Sequence, residues 1–212
     1  MENIEELNAS KLGTLEYWDT LYQKEVENFN DFGDEGEIWF GQDSAERMCE
    51  WVQDNLPSST SILDLGTGNG HLLFELHSMG FTNLLGVDYA PNSIELCKTI
   101  ANDKEMEIEF KVMDILQPVG LQFDLVMDKG TFDAISLSEI KEKKPTEQYV
   151  ESVGRLVKQG GLFMITSCNW TTEELLIRFG REFEKYDLIK YPTFTFGGQQ
   201  GQTITSVIFK KK

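Results

Sequence analysis

Apolar positions recur along this chain in two periods, and the alternation between them predicts its elements. Leu15, Trp18, Tyr22 and Val26 share one helical face, which places a helix over Thr14 to Asn28. Met48, Trp51 and Val52 line a second helix, with Asp43 or Ser44 as its cap, Glu46 completing a capping box and Pro57 just beyond its end. The spacing changes at Ile62-Leu63-Asp64-Leu65, a short apolar strand that runs into glycines and then a helical run from His71 to Met79, with Gly80 at its C′ position. Asn83 to Asp88 is a second strand, followed by a helix starting near Pro91 with Ile94, Cys97 and Ile100 inward. Ile108 to Asp114 alternates as a third strand, and Phe123 to Asp128 is a fourth. Pro145 to Lys158 is helical and ends at Gly160-Gly161, Leu162 to Ser167 is a buried fifth strand, and Thr171-x-x-Glu174 boxes a helix through Phe183. Tyr186 to Thr195 and Thr203 to Phe209 flank the glycine-rich loop 197–201 and read as an antiparallel hairpin. Strands alternating with helices predict an α/β fold with a mostly parallel sheet.

The glycines after the first strand change this outline into a candidate site. Gly66, Gly68 and Gly70 allow a tight turn and close approach of a ligand to the backbone, and the next helix points its free N–H groups there. The dinucleotide fingerprint G-x-G-x-x-G needs a glycine where His71 stands. The pattern present is D-x-G-x-G-x-G beginning at Asp64, and it resembles the first motif of class I S-adenosylmethionine-dependent methyltransferases. That ligand carries an ammonium, which suits Asp64 better than a pyrophosphate would. A plain βα turn in another doubly wound fold is the alternative. Asp88 lies eighteen residues after Gly70, near the spacing of about 20 at which a carboxylate reaches ribose hydroxyls. Asp114 ends the third strand and suits the adenine amino group. Tyr89 and Ile115, adjoining these two acids, complete the adenosine end of the candidate set. Three successive strands ending in acids form a stronger constellation than any one of them. The resemblance implies a Rossmann-like sheet of seven strands with helices on both faces and a C-terminal antiparallel hairpin. It covers about residues 55–212, with residues 1–54 as a helical extension packed on that domain.

Composition narrows the partners. Of 212 residues, 40 % are hydrophobic, enough for a sizeable core, and no apolar run reaches the length of a membrane span. The acidic N-terminus carries no apolar run, so no signal peptide is expected. Cys49, Cys97 and Cys168, with His71 and His77, make no zinc spacing, so no metal is expected and the thiols read as reduced and cytoplasmic. Net charge is −17, and residues 1–50 set Lys11, Lys24 and Arg47 against fourteen acids. Such a surface repels nucleic acid and attracts a basic partner, although solubility alone would also account for it.

Methyl transfer to an amine needs alignment and a neutral nitrogen rather than a strong acid or base. In this fold the end of the fourth strand faces the methyl group, and here it reads Asp128-Lys129-Gly130-Thr131-Phe132. The [Asp/Asn]-Pro-Pro-[Tyr/Phe] motif of enzymes methylating nucleic-acid bases is absent. Asp128 is the candidate for orienting the target nitrogen and for the cofactor side of the same place. The alternative is a carboxylate that caps the following segment. Phe132 is a channel wall or simply core. Trp39 and Phe40 either close over the cofactor or pack the extension onto the sheet.

Tyr17-Trp18-Asp19-x-x-Tyr22, Glu37-Ile38-Trp39-Phe40-Gly41, Leu63 to Gly70, Asp128 to Ala134 and Ser167-Cys168-Asn169-Trp170 together resemble the elongation factor 1-alpha lysine methyltransferases over nearly the whole chain. The resemblance implies N-methylation of a lysine on that basic factor, in the cytoplasm; the nucleus is a further expected compartment, and the sequence leaves oligomeric state open with a monomer favoured. It implies that Trp39 helps enclose S-adenosylmethionine, and it makes Phe40, Lys129, Phe132, Asn169 and Trp170 the substrate-channel candidates. A small-molecule methyltransferase and a catalytically silent binding module are the competing readings.

Overall fold

The computed structural model describes residues 6–117, 120–140, 144–191, 194–196, 199–201 and 204–212. Its centre is a seven-stranded sheet of β1 (Ile62–Leu65), β2 (Leu84–Asp88), β3 (Glu109–Val112), β4 (Phe123–Lys129), β5 (Val157–Ser167), β6 (Phe183–Ile189) and β9 (Thr205–Lys211). The strand order is β3-β2-β1-β4-β5-β9-β6, with β9 antiparallel to both its neighbours. The chain reverses outward from β1, so the carboxyl ends of β1 and β4 lie side by side where ligands bind in open α/β sheets. The expected antiparallel pair is present as β6 with β9. A separate two-stranded ribbon, β7 (Phe194–Phe196) with β8 (Gln199–Gly201), stands between them in sequence. Gly197 and Gly198 of the expected loop lie outside the described residues.

Helices cover both faces, so the inner strands β1, β2 and β4 are mostly buried rather than alternating, while the edge strands β3 and β6 stay largely exposed. On one face α1 (Leu15–Phe32), α2 (Gln42–Asn55), α3 (His71–Ser78) and α4 (Pro91–Asp103) pack onto Ile62, Leu84, Leu125, Met127 and Ile208. On the other, α5 (Thr131–Ser136), α6 (Pro145–Leu156) and α7 (Thr172–Phe179) bury Phe132, Tyr149 and Phe179 against Leu65, Val126, Phe163 and Phe209. Among the described residues no helix is long and apolar enough to cross a membrane.

Several boundaries differ from the sequence reading. α1 begins after its Thr14 cap and runs to Phe32, where Gly33 at φ 73° ends it. α2 starts at Gln42 with Gly41 at its N-cap, so Asp43 and Ser44 fall inside the first turn and no capping box forms. Asp43 pairs with Arg47 at 2.8 Å instead, and Glu46 accepts from the Gln42 amide. α6 stops at Leu156 because Val157 is already paired with Phe123, and Gly160 falls within β5, where the β4–β5 register shifts. α7 has the expected Thr171–Glu174 box but ends at Phe179; Phe183 opens β6, buried in the second core. β3 ends at Val112, two residues before Asp114.

Candidate active site

The carboxyl end of β1 turns sharply through three glycines with positive φ, 63° at Gly66, 59° at Gly68 and 80° at Gly70. A Cβ on Gly66 would stand 2.1 Å from the Thr131 hydroxyl, which donates to the Leu65 carbonyl at 2.6 Å. A Cβ on Gly68 would meet the Tyr22 hydroxyl at 2.8 Å. The turn therefore admits no side chain where α1 and α5 approach it. Gly70 caps α3 and faces Phe74 and Cys97 in the core, off the cleft.

Above the turn lies a cleft of 630 Å³ lined by residues from every sequence-predicted segment of the site. Asp64 accepts from the Thr67 hydroxyl at 2.8 Å, and burial pushes its carboxyl up to about 7. Asp88 accepts from the Gly68 amide at 3.2 Å and the Ala90 amide at 2.9 Å, bridging the glycine turn to the start of α4. Burial raises it to about 6 against those hydrogen bonds. Asp114 is exposed at the far end, accepting from the Leu116 amide and from Gln117. Tyr89 and Ile115 line the cleft beside these acids.

The extension supplies the opposite wall. Trp18, Tyr22 and Trp39 all line the cleft, and the Trp18 and Trp39 rings meet edge to face at 5.1 Å. Asn69 in the glycine turn donates to the carbonyls of Glu35 and Glu37, tying the acidic loop over the turn. The Trp18 indole donates to the Leu12 carbonyl at 2.7 Å, and the Ser10 amide donates to the Leu137 carbonyl, so Leu12, Gly13, Thr14 and Leu15 border the cleft beside α5. Asp19 accepts from the Asn92 amide at 3.0 Å and so serves the uncapped start of α4.

The end of β4 divides the remaining candidates. β1 and β4 are in register at Asp64 with Met127 and at Leu65 with Asp128. Strand period two therefore turns Met127 and Lys129 to the face of Asp64, and turns Asp128 to the other. Lys129, Phe40 and Asn169 line the cleft. Asp128 does not. It is fully buried and accepts from the amides of Thr131 and Phe132, both at 2.9 Å, and from the Tyr149 hydroxyl. Burial raises its carboxyl to about 7. Every one of these partners belongs to α5 or α6, so Asp128 caps α5, and orienting a target nitrogen does not fit it. Phe132 is fully buried among Tyr149, Trp170 and Phe179 and is core, not channel. Trp170 is likewise buried, its indole donating to Ser136.

Sequence reasoning passed over three contributors. Tyr22 and Asn69 stand in segments that carry the resemblance, but neither was singled out for the site. Asp133, next to Phe132, reaches the cleft while accepting from the Ser167 hydroxyl and the Cys168 amide. The Asp128-Lys-Gly-Thr-Phe-Asp run held that last signal. A wider depression of 750 Å³ at the opposite end of β4 is lined by Arg155, Arg181, Glu151 and Glu182 and lies away from the glycine turn of β1. Among the described residues no group of three metal-ligating side chains stands together.

A family model described as "Methyltransferase domain" matches residues 56–210. The human protein "EEF1A lysine methyltransferase 2" is 44 % identical over 207 residues, covering 95 % of this chain and 87 % of its own. "Protein-lysine N-methyltransferase EFM4" of Saccharomyces cerevisiae is 42 % identical with both chains covered in full. Among solved structures, the Bradyrhizobium japonicum N-methyltransferase NodS in complex with S-adenosyl-L-homocysteine superposes with a TM-score of 0.66 at 12 % identity, over 92 % of this chain and 98 % of that one. The Pyrococcus horikoshii PH0226 protein gives 0.67 at 17 %, over 88 % and 99 %. At such identities the structural likeness speaks for the fold alone.

Proposed function

The chain belongs to the EEF1A lysine methyltransferase 2 family, and from that premise we propose that it transfers a methyl group from S-adenosylmethionine to a lysine of translation elongation factor 1-alpha. The observation that carries the reading is the glycine turn of β1 with Asp64 and Asp88 facing one cleft. Glycines without side chains, Gly66 and Gly68, lining the cleft beside two buried carboxylates, Asp64 and Asp88, fit a cationic nucleoside. When bound, S-adenosylmethionine supplies an electrophilic methyl on a sulfonium.

Asp88 would accept from ribose hydroxyls, Asp64 would face the amino-acid ammonium, and Tyr89, Asp114 and Ile115 would border adenine. Tyr22 and Trp39 exclude water from that side. The acceptor nitrogen needs a free lone pair, and a lysine ammonium has none at its usual pKa of about 10.4. The apolar walls given by Phe40, Ile135 and Leu137 favour the neutral amine by desolvation. Asp133 and Asn169 supply the oxygen acceptors on that wall; Asp128 supports it from beneath through α5. A lysine of the elongation factor as acceptor supports activity in the cytoplasm.

Labelled methyl transfer into an extract lacking this protein tests the proposal. One labelled band at the elongation factor's size is expected, with the modified lysine then located by peptide mapping. Label confined to small molecules would assign the fold to a metabolite instead. S-adenosylhomocysteine binding without any label would leave a binding module.

A further inference from the structure

The Trp39–Phe40 segment is built at a conformational cost. The Gly41 amide donates to the Ile38 carbonyl at 2.9 Å, closing a β-turn with Trp39 and Phe40 at its centre. Phe40 has φ 65°, whereas Trp39 keeps the negative φ of ordinary residues. That combination is a type II turn, whose third position normally goes to glycine or asparagine. A phenylalanine there is strained and persists only when its surroundings over-determine it.

Type I and type II turns differ by a flip of the central peptide. The carbonyl of that peptide belongs to Trp39, and Lys129 Nζ donates to it at 2.8 Å. The same ammonium lies 5.9 Å from the Phe40 ring centroid. The ring rests on Gly130, itself at φ 88°, where a Cβ would stand 3.0 Å from Phe40 Cζ. Gly130 thus leaves the floor on which the ring lies, and Lys129, its chain neighbour, holds the peptide that puts the ring there.

We propose that Lys129 is a positioning residue that holds the Ile38–Gly41 turn in its type II form and so sets Phe40 as a wall of the channel for the incoming lysine. The channel part of this inference rests on the proposed transfer to elongation factor 1-alpha; the turn part rests on geometry alone. Without the Nζ donor, the central peptide relaxes to type I, Phe40 returns to negative φ, and its ring leaves Gly130.

Transfer to purified elongation factor 1-alpha is measured for Lys129→Met, Lys129→Arg, Phe40→Ala and the Lys129→Met/Phe40→Ala pair, with S-adenosylhomocysteine affinity in parallel. Loss of a buried charge-assisted hydrogen bond predicts a fall of about 10-fold or more in kcat/KM for the protein acceptor in Lys129→Met. Lys129→Arg, which keeps an N–H donor, recovers most of it. The double variant is no worse than the poorer single, because the ring that Lys129 places is already gone. Losses that multiply, or an unchanged kcat/KM in Lys129→Met, overturn the inference. So does a loss confined to S-adenosylhomocysteine affinity, which would make Lys129 a cofactor ligand. The crystal structure of Lys129→Met is an independent arm: Phe40 at negative φ supports the inference, and φ still near 65° overturns it whatever the assay gives. Wild-type protein that binds S-adenosylhomocysteine yet methylates nothing on the factor overturns the proposed function instead, and the crystal structure still decides the turn.

Discussion

Removing the Asp128 carboxyl would strand two backbone N–H groups of α5 and the Tyr149 hydroxyl in a dry interior. Buried polar groups left unpaired cost about 1–3 kcal/mol each, so Asp128→Ala should lose at least about 3 kcal/mol in urea unfolding. S-adenosylhomocysteine affinity of the folded fraction should hold; a stable variant with slow transfer would return Asp128 to the chemistry. Asp88→Ala should weaken S-adenosylhomocysteine binding about 10-fold or more in calorimetry, since both its hydrogen-bonded turn and its ribose acceptor go together. Asp64 makes a pH prediction. A carboxyl raised to about 7 holds its proton more tightly folded than unfolded, so its contribution to stability falls as pH climbs from about 4 toward 7. Asp64→Asn removes that titration, and its urea midpoint should decline less between pH 5 and 7 than the wild-type midpoint. Parallel slopes would show that Asp64 titrates normally. At this scale the strand-end acids were legible, because each stands next to a recognisable apolar run. For Asp128 the sequence held two readings, and the capping one matches the structure; what separated them, the Tyr149 hydroxyl, is 21 residues away.

Within elements, the glycine turn and the pleat of β4 do most to arrange the cleft. Gly66→Ala would force an L side chain to φ 63° and drive its Cβ into Thr131, whose hydroxyl ties β1 to α5. A loss of about 2 kcal/mol or more is expected, with S-adenosylhomocysteine affinity falling as well. Normal binding by the variant would mean that the turn relaxes and that its shape is not what the ligand reads. The pleat explains why consecutive residues part company: Lys129 follows Met127 to the cleft face, and Asp128 follows Leu65 to the core behind it. Element types were readable from periodicity, but ends were less so. Val157 could extend α6 by pattern, yet pairing with Phe123 draws it into the sheet, and strand preference expresses such tertiary neighbours more than backbone preference. The expected box on α2 failed because Gly41, at φ 79°, serves the preceding turn and caps the helix two residues before Asp43.

At the scale of the whole molecule, a charge of −17 meets a substrate expected to be basic. Steering of that kind raises association rates and weakens as salt shortens the screening length to about 8 Å near 0.15 M. kcat/KM for the protein acceptor should therefore fall between 0.05 and 0.3 M salt, by about 10-fold on the low side of the range for steered encounters. KM for S-adenosylmethionine should change little, since that ligand is read inside the cleft. An acceptor KM indifferent to salt would reduce the acidic surface to a matter of solubility. The extension adds a second whole-molecule feature. Its helices share the core beneath the sheet face that carries Asp64, so Tyr22 reaches the cleft as part of that packing, and Trp39 joins it through its edge-to-face contact with Trp18.

The sequence by itself determined the alternation of strands and helices, the glycine turn, the acids at the strand ends and the terminal antiparallel pair. The turn and the acids are local patterns of two to four residues, and the elements follow from the period of apolar positions along the chain. Tertiary structure alone decided which side chains share the cleft. Lys129 meets the Trp39 carbonyl across 90 positions, and Asn69 meets Glu35 across 34. No period records such meetings. They follow from strand order, from register between β1 and β4, and from the helix that the N-terminal extension lays across the sheet. The physical reason is that burial is decided by what packs opposite a residue, and the opposite residue is seldom near in the chain.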